Sequence, residues 1–154
     1  MDSLAGMYEC KADSKGRILL PVGLKKQIEE FKKGLILKRS IFNQCLEIHT
    51  LNKWGKTMKE INNLNRFIKE NNDFIRLFTS GVRLVKSDKM SRIQIPKDLI
   101  NYASINKDVI LAAVGDIIEI WDKKQYEILI KNQSINFSNM AESVMGKINR
   151  NDEK

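Results

Sequence analysis

Two arginines hold matched places in this chain. Arg17 closes the string Asp13-Ser14-Lys15-Gly16-Arg17, and Arg92 closes Asp88-Lys89-Met90-Ser91-Arg92. A guanidinium is planar and permanently charged, and its fork can bond bidentately to the edge of a guanine. An ammonium is a flexible point charge better matched to phosphate. Two strands joined by a turn can enter a major groove and present outward side chains to base edges. Arg17 and Arg92 are therefore candidate base readers, and Lys15 is a base or phosphate contact. Lys89 is weaker, because it aligns with Ser14 and not with Lys15. A second reading pairs Arg17 with Asp13 in an ion pair that only stabilises the turn. The residues alone leave the two readings level.

Other chemistries are poorly served. The single histidine, His49, excludes multi-histidine metal sites, and no spaced Cys/His set exists, so no metal is expected. Cys10 and Cys45 hold non-equivalent positions, which suits buried reduced thiols better than a disulfide. Glu47 and Glu119 are equivalent positions of the two halves, and such strand carboxylates suit structural hydrogen bonds or ion pairs. No glycine-rich phosphate loop is present, so neither a cofactor nor a small-molecule substrate is expected. An enzyme is the least supported reading.

The elements that carry these residues form a repeat. Asp13 to Leu24 aligns with Asp88 to Leu99, and five of twelve positions are identical: Asp, Arg, Ile, Pro and Leu. The match continues through Leu35-Ile36-Leu37 with Val109-Ile110-Leu111, and through Leu46-Glu47-Ile48 with Ile118-Glu119-Ile120. A repeat of half the chain fixes the architecture before any local reading. Asp13, Asp88, Gly16 and Ser91 are turn formers. If the position of Gly16 needs positive φ, Ser91 at its equivalent is strained by about 1 kcal/mol. Ile93 and Ile95 face inward, and Arg92 and Gln94 outward. Pro21 and Pro96 end strands and open helices.

Leu24, Ile28 and Phe31 predict one helical face, as do Leu99 and Ala103. Trp54, Met58, Ile61, Leu64 and Ile68 predict a long amphipathic helix between the halves. Phe137, Ala141, Val144 and Ile148 keep a helical spacing, with Asn139 and Glu142 as a capping box. The end from Asn149 to Lys154 is expected to fray. The expected division is 5–76 for the first repeat and its long helix, 77–130 for the second repeat, and 131–154 for the C-terminal helix and tail.

The chain has 154 residues, a hydrophobic fraction of 42%, and a formal charge of +8. That length suits one domain or two small halves. No apolar run approaches the roughly 20 residues of a membrane helix, and Met1 to Cys10 lacks the pattern of a signal peptide. A cytoplasmic protein without a membrane partner is expected. The positive charge suits a polyanion, although no dense Lys/Arg block or aromatic interleaving marks a single-strand surface.

With both copies in tandem, each having Asp, Arg, Ile, an apolar residue and Pro at matched spacing, the chain resembles the MraZ family over about residues 5 to 130. Ser91 and Met90 depart from the family pattern in the second copy. The resemblance implies an α+β fold of AbrB type, a swapped-hairpin β-barrel made by two tandem repeats in one chain, with flanking helices. It implies a nucleoid-associated transcriptional regulator of the cell-division and cell-wall gene cluster. It further implies a ring-shaped homo-oligomer on direct repeats of double-stranded DNA in its own promoter. The alternative is an antitoxin-type protein-interaction module on the same fold.

Overall fold

Ile93 and Ile95 alternate with Arg92 and Gln94, and this alternation gives the short strand that carries them one buried face: both isoleucines are buried, as are Ile18 and Leu20 in the first copy. The computed structural model describes residues 3–152, with side chains to Ile148. The first half runs β1 (Met7–Lys11), β2 (Arg17–Leu19), α1 (Val22–Lys25), a 3-10 turn (Phe31–Lys33), β3 (Leu35–Arg39), β4 (Leu46–Thr50), α2 (Leu51–Asn62) and α3 (Lys69–Thr79). The second runs β5 (Arg83–Val85), β6 (Arg92–Gln94), α4 (Lys97–Tyr102), β7 (Asp108–Val114), β8 (Ile117–Asp122), α5 (Lys123–Ser134) and α6 (Phe137–Asp152). Apart from the 3-10 turn of the first half, the order of elements is the same in both halves, so the repeat includes a pair of helices after the fourth strand.

The fold is α+β, with antiparallel sheets and, among the described residues, six α-helices. Six strands form one sheet in the order β1-β7-β8-β4-β3-β5, and β2 pairs with β6 in a separate two-stranded ribbon. The first strand of each half pairs with the third strand of the other: β1 with β7, and β5 with β3. At the centre β4 meets β8, with Glu47 opposite Glu119 and Leu46 and Ile48 opposite Ile120 and Ile118. Exchanging the halves returns the same pairs, so an approximate twofold axis passes between the two glutamates. A second symmetric pair, Ile18 opposite Ile93, centres the ribbon. The expected closed barrel is not formed among the described residues. The strands divide into an open sheet and a ribbon, because β2 and β6 are short and pair with each other, with a single further bridge from Ile18 to Ala12.

The core lies under both sheets and joins Ile18, Leu24, Leu37, Leu46 and Ile48 to Ile93, Leu99, Leu111, Ile118 and Ile120, each at most 1% exposed. These residues belong to a compact unit that ends at Lys123; the chain from Lys124 onward forms a second unit, which contains most of α5 and all of α6. Among the described residues no helix is long and apolar enough to cross a membrane.

Three helix expectations are corrected. The helix expected across Leu24, Ile28 and Phe31 is one turn long, although all three residues are buried. Gly23 weakens it, and Glu30 takes a left-handed φ of 56° that no helix continues through. The long helix expected from Trp54 to Ile68 breaks after Asn62. There the Asn65 carboxamide accepts from Phe67 N (3.0 Å) and its carbonyl from Asn71 Nδ2 (3.0 Å), so side chains replace helical bonds. Trp54 still packs, stacked on Phe78 of α3 at 5.8 Å. Finally, α6 begins at Phe137, two residues before Asn139, and Asn136 O accepts from Met140 N. Asn139 is thus inside the helix and is not its cap. The helix continues to Asp152 where fraying was expected from Asn149; residues 153 and 154 of that segment lie outside the described residues.

Candidate nucleic-acid interface

The two turns are built alike, bond for bond. Asp13 Oδ1 accepts from the backbone N–H groups of Lys15 and Arg17, both at 2.9 Å, and Gly16 N donates to Asp13 O at 3.0 Å. Asp88 Oδ1 accepts from Met90 N (2.8 Å) and Arg92 N (3.0 Å), and Ser91 N donates to Asp88 O at 3.0 Å. One carboxylate thus takes two amides that a tight turn would otherwise leave unpaired. The conformation it enforces places Gly16 at φ 78° and Ser91 at φ 61°.

The second oxygen of each carboxylate takes the arginine. Asp13 Oδ2 lies 2.6 Å from Arg17 Nε, and Asp88 Oδ2 lies 2.8 Å from Arg92 Nε. The Arg17 backbone N–H, then its guanidinium and the Lys15 N–H, hold the Asp13 carboxyl below the usual carboxylate range. The Arg92 backbone N–H, with Met90 N–H and the Arg92 guanidinium, does the same for Asp88. Only Nε is engaged in either guanidinium. The two terminal nitrogens have no side-chain or backbone partner among the described residues. The ion pair of the second reading is therefore present for Arg17, Arg92 makes its equivalent, and each pair leaves the end of the guanidinium fork unengaged. An aspartate that grips Nε fixes the plane in which the fork projects.

The ribbon places these groups on one surface. Arg17 lies opposite Gln94, and Leu19 opposite Arg92, with Ile18 and Ile93 on the buried side. Arg17 and Arg92 are diagonal neighbours, which sets their backbones about 7–8 Å apart. Each turn is tied to the other half: Gly16 O accepts from Ile95 N (2.9 Å), and Ser91 O from Leu20 N (3.0 Å). Pro21 and Pro96 follow as the caps of α1 and α4. Lys15 and Lys89 are exposed on their turns, and Met90 is 65% exposed.

Beyond this common plan the turns differ, through side chains that sequence reasoning did not single out. Gln94 Nε2 donates to Lys15 O and so braces the first turn. Beneath it Ile100 lies so close that a Cβ on Gly16 would be 2.6 Å from its Cδ1. In the second turn, Lys25 Nζ donates to Ser91 Oγ at 2.7 Å. Alternation put Gln94 outward, but neither contact has a local signal, since each crosses between the halves.

The carboxylates at the sheet centre are engaged in structural bonds. Glu47 Oε1 lies 2.9 Å from His49 Nε2 and 3.7 Å from Lys38 Nζ, and Trp121 Nε1 donates to Glu119 Oε1 at 3.0 Å. Burial pushes the Glu47 carboxyl up, and the His49 bond and Lys38 charge outweigh it, leaving it below its ordinary value. Burial pushes the Lys38 ammonium down. His49 Nδ1 is buried and has no hydrogen-bond partner among the described residues. Cys45 is buried beside Glu119, and burial with that carboxylate pushes its thiol up to about 12. Cys10 and Cys45 are both free thiols. Among the described residues no group of three His, Cys, Asp or Glu side chains could hold a metal ion.

Comparison with known proteins returns one family twice over. A family model described as "MraZ protein, putative antitoxin-like" matches residues 3–77 and again 78–148. A protein of Flavobacterium psychrophilum named "Transcriptional regulator MraZ" is 50% identical over 150 residues, covering 97% of this chain and 96% of its own. A protein of the same name from Christiangramia forsetii is 47% identical, covering 95% of each chain. Another, from Caldanaerobacter subterraneus subsp. tengcongensis, is 34% identical over 90% of this chain and 94% of its own.

Proposed function

This chain belongs to the MraZ family, and on that premise we propose that it is a transcriptional regulator that reads double-stranded DNA with the β2–β6 ribbon. The observation that carries the reading is the paired geometry of Arg17 and Arg92. Each guanidinium is held at Nε by its own turn aspartate, on one outward face, with both terminal nitrogens unspent. The backbones that carry them, about 7–8 Å apart, are spaced close to two base-pair steps of about 3.4 Å each. Two guanines with one base pair between them suit such a pair, because Arg bonds bidentately to O6 and N7. Lys15 and Lys89 stand beside the arginines as base or phosphate contacts. A swapped-hairpin arrangement of AbrB type belongs to the same reading, supported by the reciprocal pairing of first and third strands between the halves.

The protein acts as a ring-shaped homo-oligomer on direct repeats ahead of its own gene, in the cell-division and cell-wall cluster. One ribbon offers few base contacts, so useful affinity comes from several ribbons bound at once on spaced sites. The test compares duplexes carrying one repeat and several repeats from that upstream region. Tandem repeats bind many-fold more tightly than a single one; equal affinity refutes the multivalent reading. The words "antitoxin-like" in the family description favour a second reading, an antitoxin-type interaction module. Co-purification with a small toxin-like protein, together with no preference for the upstream duplex, would establish it in place of the first.

A further inference from the structure

We infer that Lys25, Lys26, Lys32 and Lys33 form a phosphate-backbone contact surface for duplex DNA, placed beside the second turn and absent beside the first. The inference rests on the ribbon reading above and assigns unequal roles to its two ends. The four lysines line one shallow concavity with Val22 and Phe31. Lys25 fixes that concavity to the turn, because its Nζ donates to Ser91 Oγ at 2.7 Å. A hydroxyl is neutral, so the bond leaves the ammonium's charge uncompensated. Lys25 also lies over the Phe31 ring at 5.3 Å, which orients its stem. Lys26, Lys32 and Lys33 are exposed. The acidic neighbour in the concavity is Glu30, which meets Lys33 at 3.0 Å in an exposed pair that a phosphate can displace. Glu29 lines a different hollow, with Lys53 and Lys56.

The repeat supplies an internal comparison. The equivalents of Lys25, Lys26, Lys32 and Lys33 are Ile100, Asn101, Asn106 and Lys107, so four lysines face one across the two halves. Near the first turn Ile100 contributes apolar packing under Gly16, and Asp98 of α4 pairs with Arg83 at 3.3 Å. The second turn itself carries Met90 where the first carries Lys15. It has less to offer a base edge and stands beside more positive charge. Phosphate contacts fix register without reading sequence, and each one adds to the salt dependence of binding.

The test uses the full chain and its Lys26→Gln/Lys32→Gln variant. A variant with Lys59→Gln and Lys147→Gln, exposed lysines on α2 and α6, serves as the charge-matched control. Lys25 is left in place because it braces the turn. Binding is titrated by anisotropy across a salt series, on the upstream duplex and on a scrambled one. The expected result is a fall of log K with log salt that is shallower by about 1.8 on both duplexes, from two lost phosphate contacts. The ratio of the two affinities stays as in wild type, and the control keeps the wild-type slope. An unchanged slope, or an equal fall in the control, overturns the inference. So does an unchanged DNA slope with lost binding of a poly-glutamate probe, which would give the patch to an acidic protein. Failure of sequence preference in every protein would refute the ribbon reading alone, since the slope on scrambled DNA still tests the lysines.

Discussion

Gly16 and Ser91 hold equivalent places, and replacing each tests whether the turn conformation is what positions the arginines. Gly16→Ala puts a side chain at φ 78°, where L-residues lose about 1–2 kcal/mol. Its Cβ would also stand 2.9 Å from Ile95 O and 2.6 Å from Ile100 Cδ1. The first of these is backbone and cannot swing aside. The turn must move, weakening the bond from Ile95 N to Gly16 O, for about another 0.5–1.5 kcal/mol. Against this, alanine restricts the unfolded chain and returns about 0.4–1 kcal/mol. The net is a loss of about 2 kcal/mol, or about 4–8 °C in Tm for a chain of this size. Ser91→Gly runs the other way. It relieves about 1–2 kcal/mol of left-handed strain but gives up the Lys25 bond and about 0.4–1 kcal/mol of chain entropy, so it stays within about 1 kcal/mol of wild type. Thermal melts followed by circular dichroism decide the matter. A Gly16→Ala protein melting with wild type would refute the reasoning, because it would mean that neither the φ nor the contact with Ile95 constrains the turn.

Further predictions concern acid stability and the thiols. Asp13 and Asp88 both have lowered carboxyl pKa values in the folded chain, so their stabilisation is present above the unfolded aspartate value of about 3.9 and is lost as pH falls through the folded values. Asp13→Asn and Asp88→Asn should each flatten the acid limb of stability against pH, and an unaltered limb counts against the turn bonds. With its thiol near 12, native Cys45 should carry at least about a thousandfold less thiolate at pH 8 than a free cysteine. Iodoacetamide should therefore label Cys45 only after unfolding, and labelling at the rate of an exposed thiol would contradict its burial.

The tandem design was legible because it rests on residue types that turns and strand ends require. Asp, Arg, Ile and Pro recur in order, and alternation alone sends Arg17 and Arg92 outward. What joins the halves was not legible. Nothing local in Met7–Lys11 says that it pairs with Asp108–Val114, since register between distant strands is a property of the folded whole. The same limit hid the contacts of Lys25 with Ser91 and of Gln94 with Lys15. The break in the long helix had a signal that periodicity outweighed: Leu64 and Ile68 keep the apolar spacing, while Asn63 and Asn65 sit where side chains compete for backbone partners.

The most direct test of DNA reading by the ribbon is an anisotropy titration of wild type and Arg17→Ala against the upstream duplex and a scrambled duplex of equal length. Wild type should prefer the upstream duplex, and Arg17→Ala should lose about 1–3 kcal/mol on it while binding the scrambled duplex almost as before. Equal binding of both duplexes by wild type, or unchanged preference in the variant, would contradict base reading by Arg17.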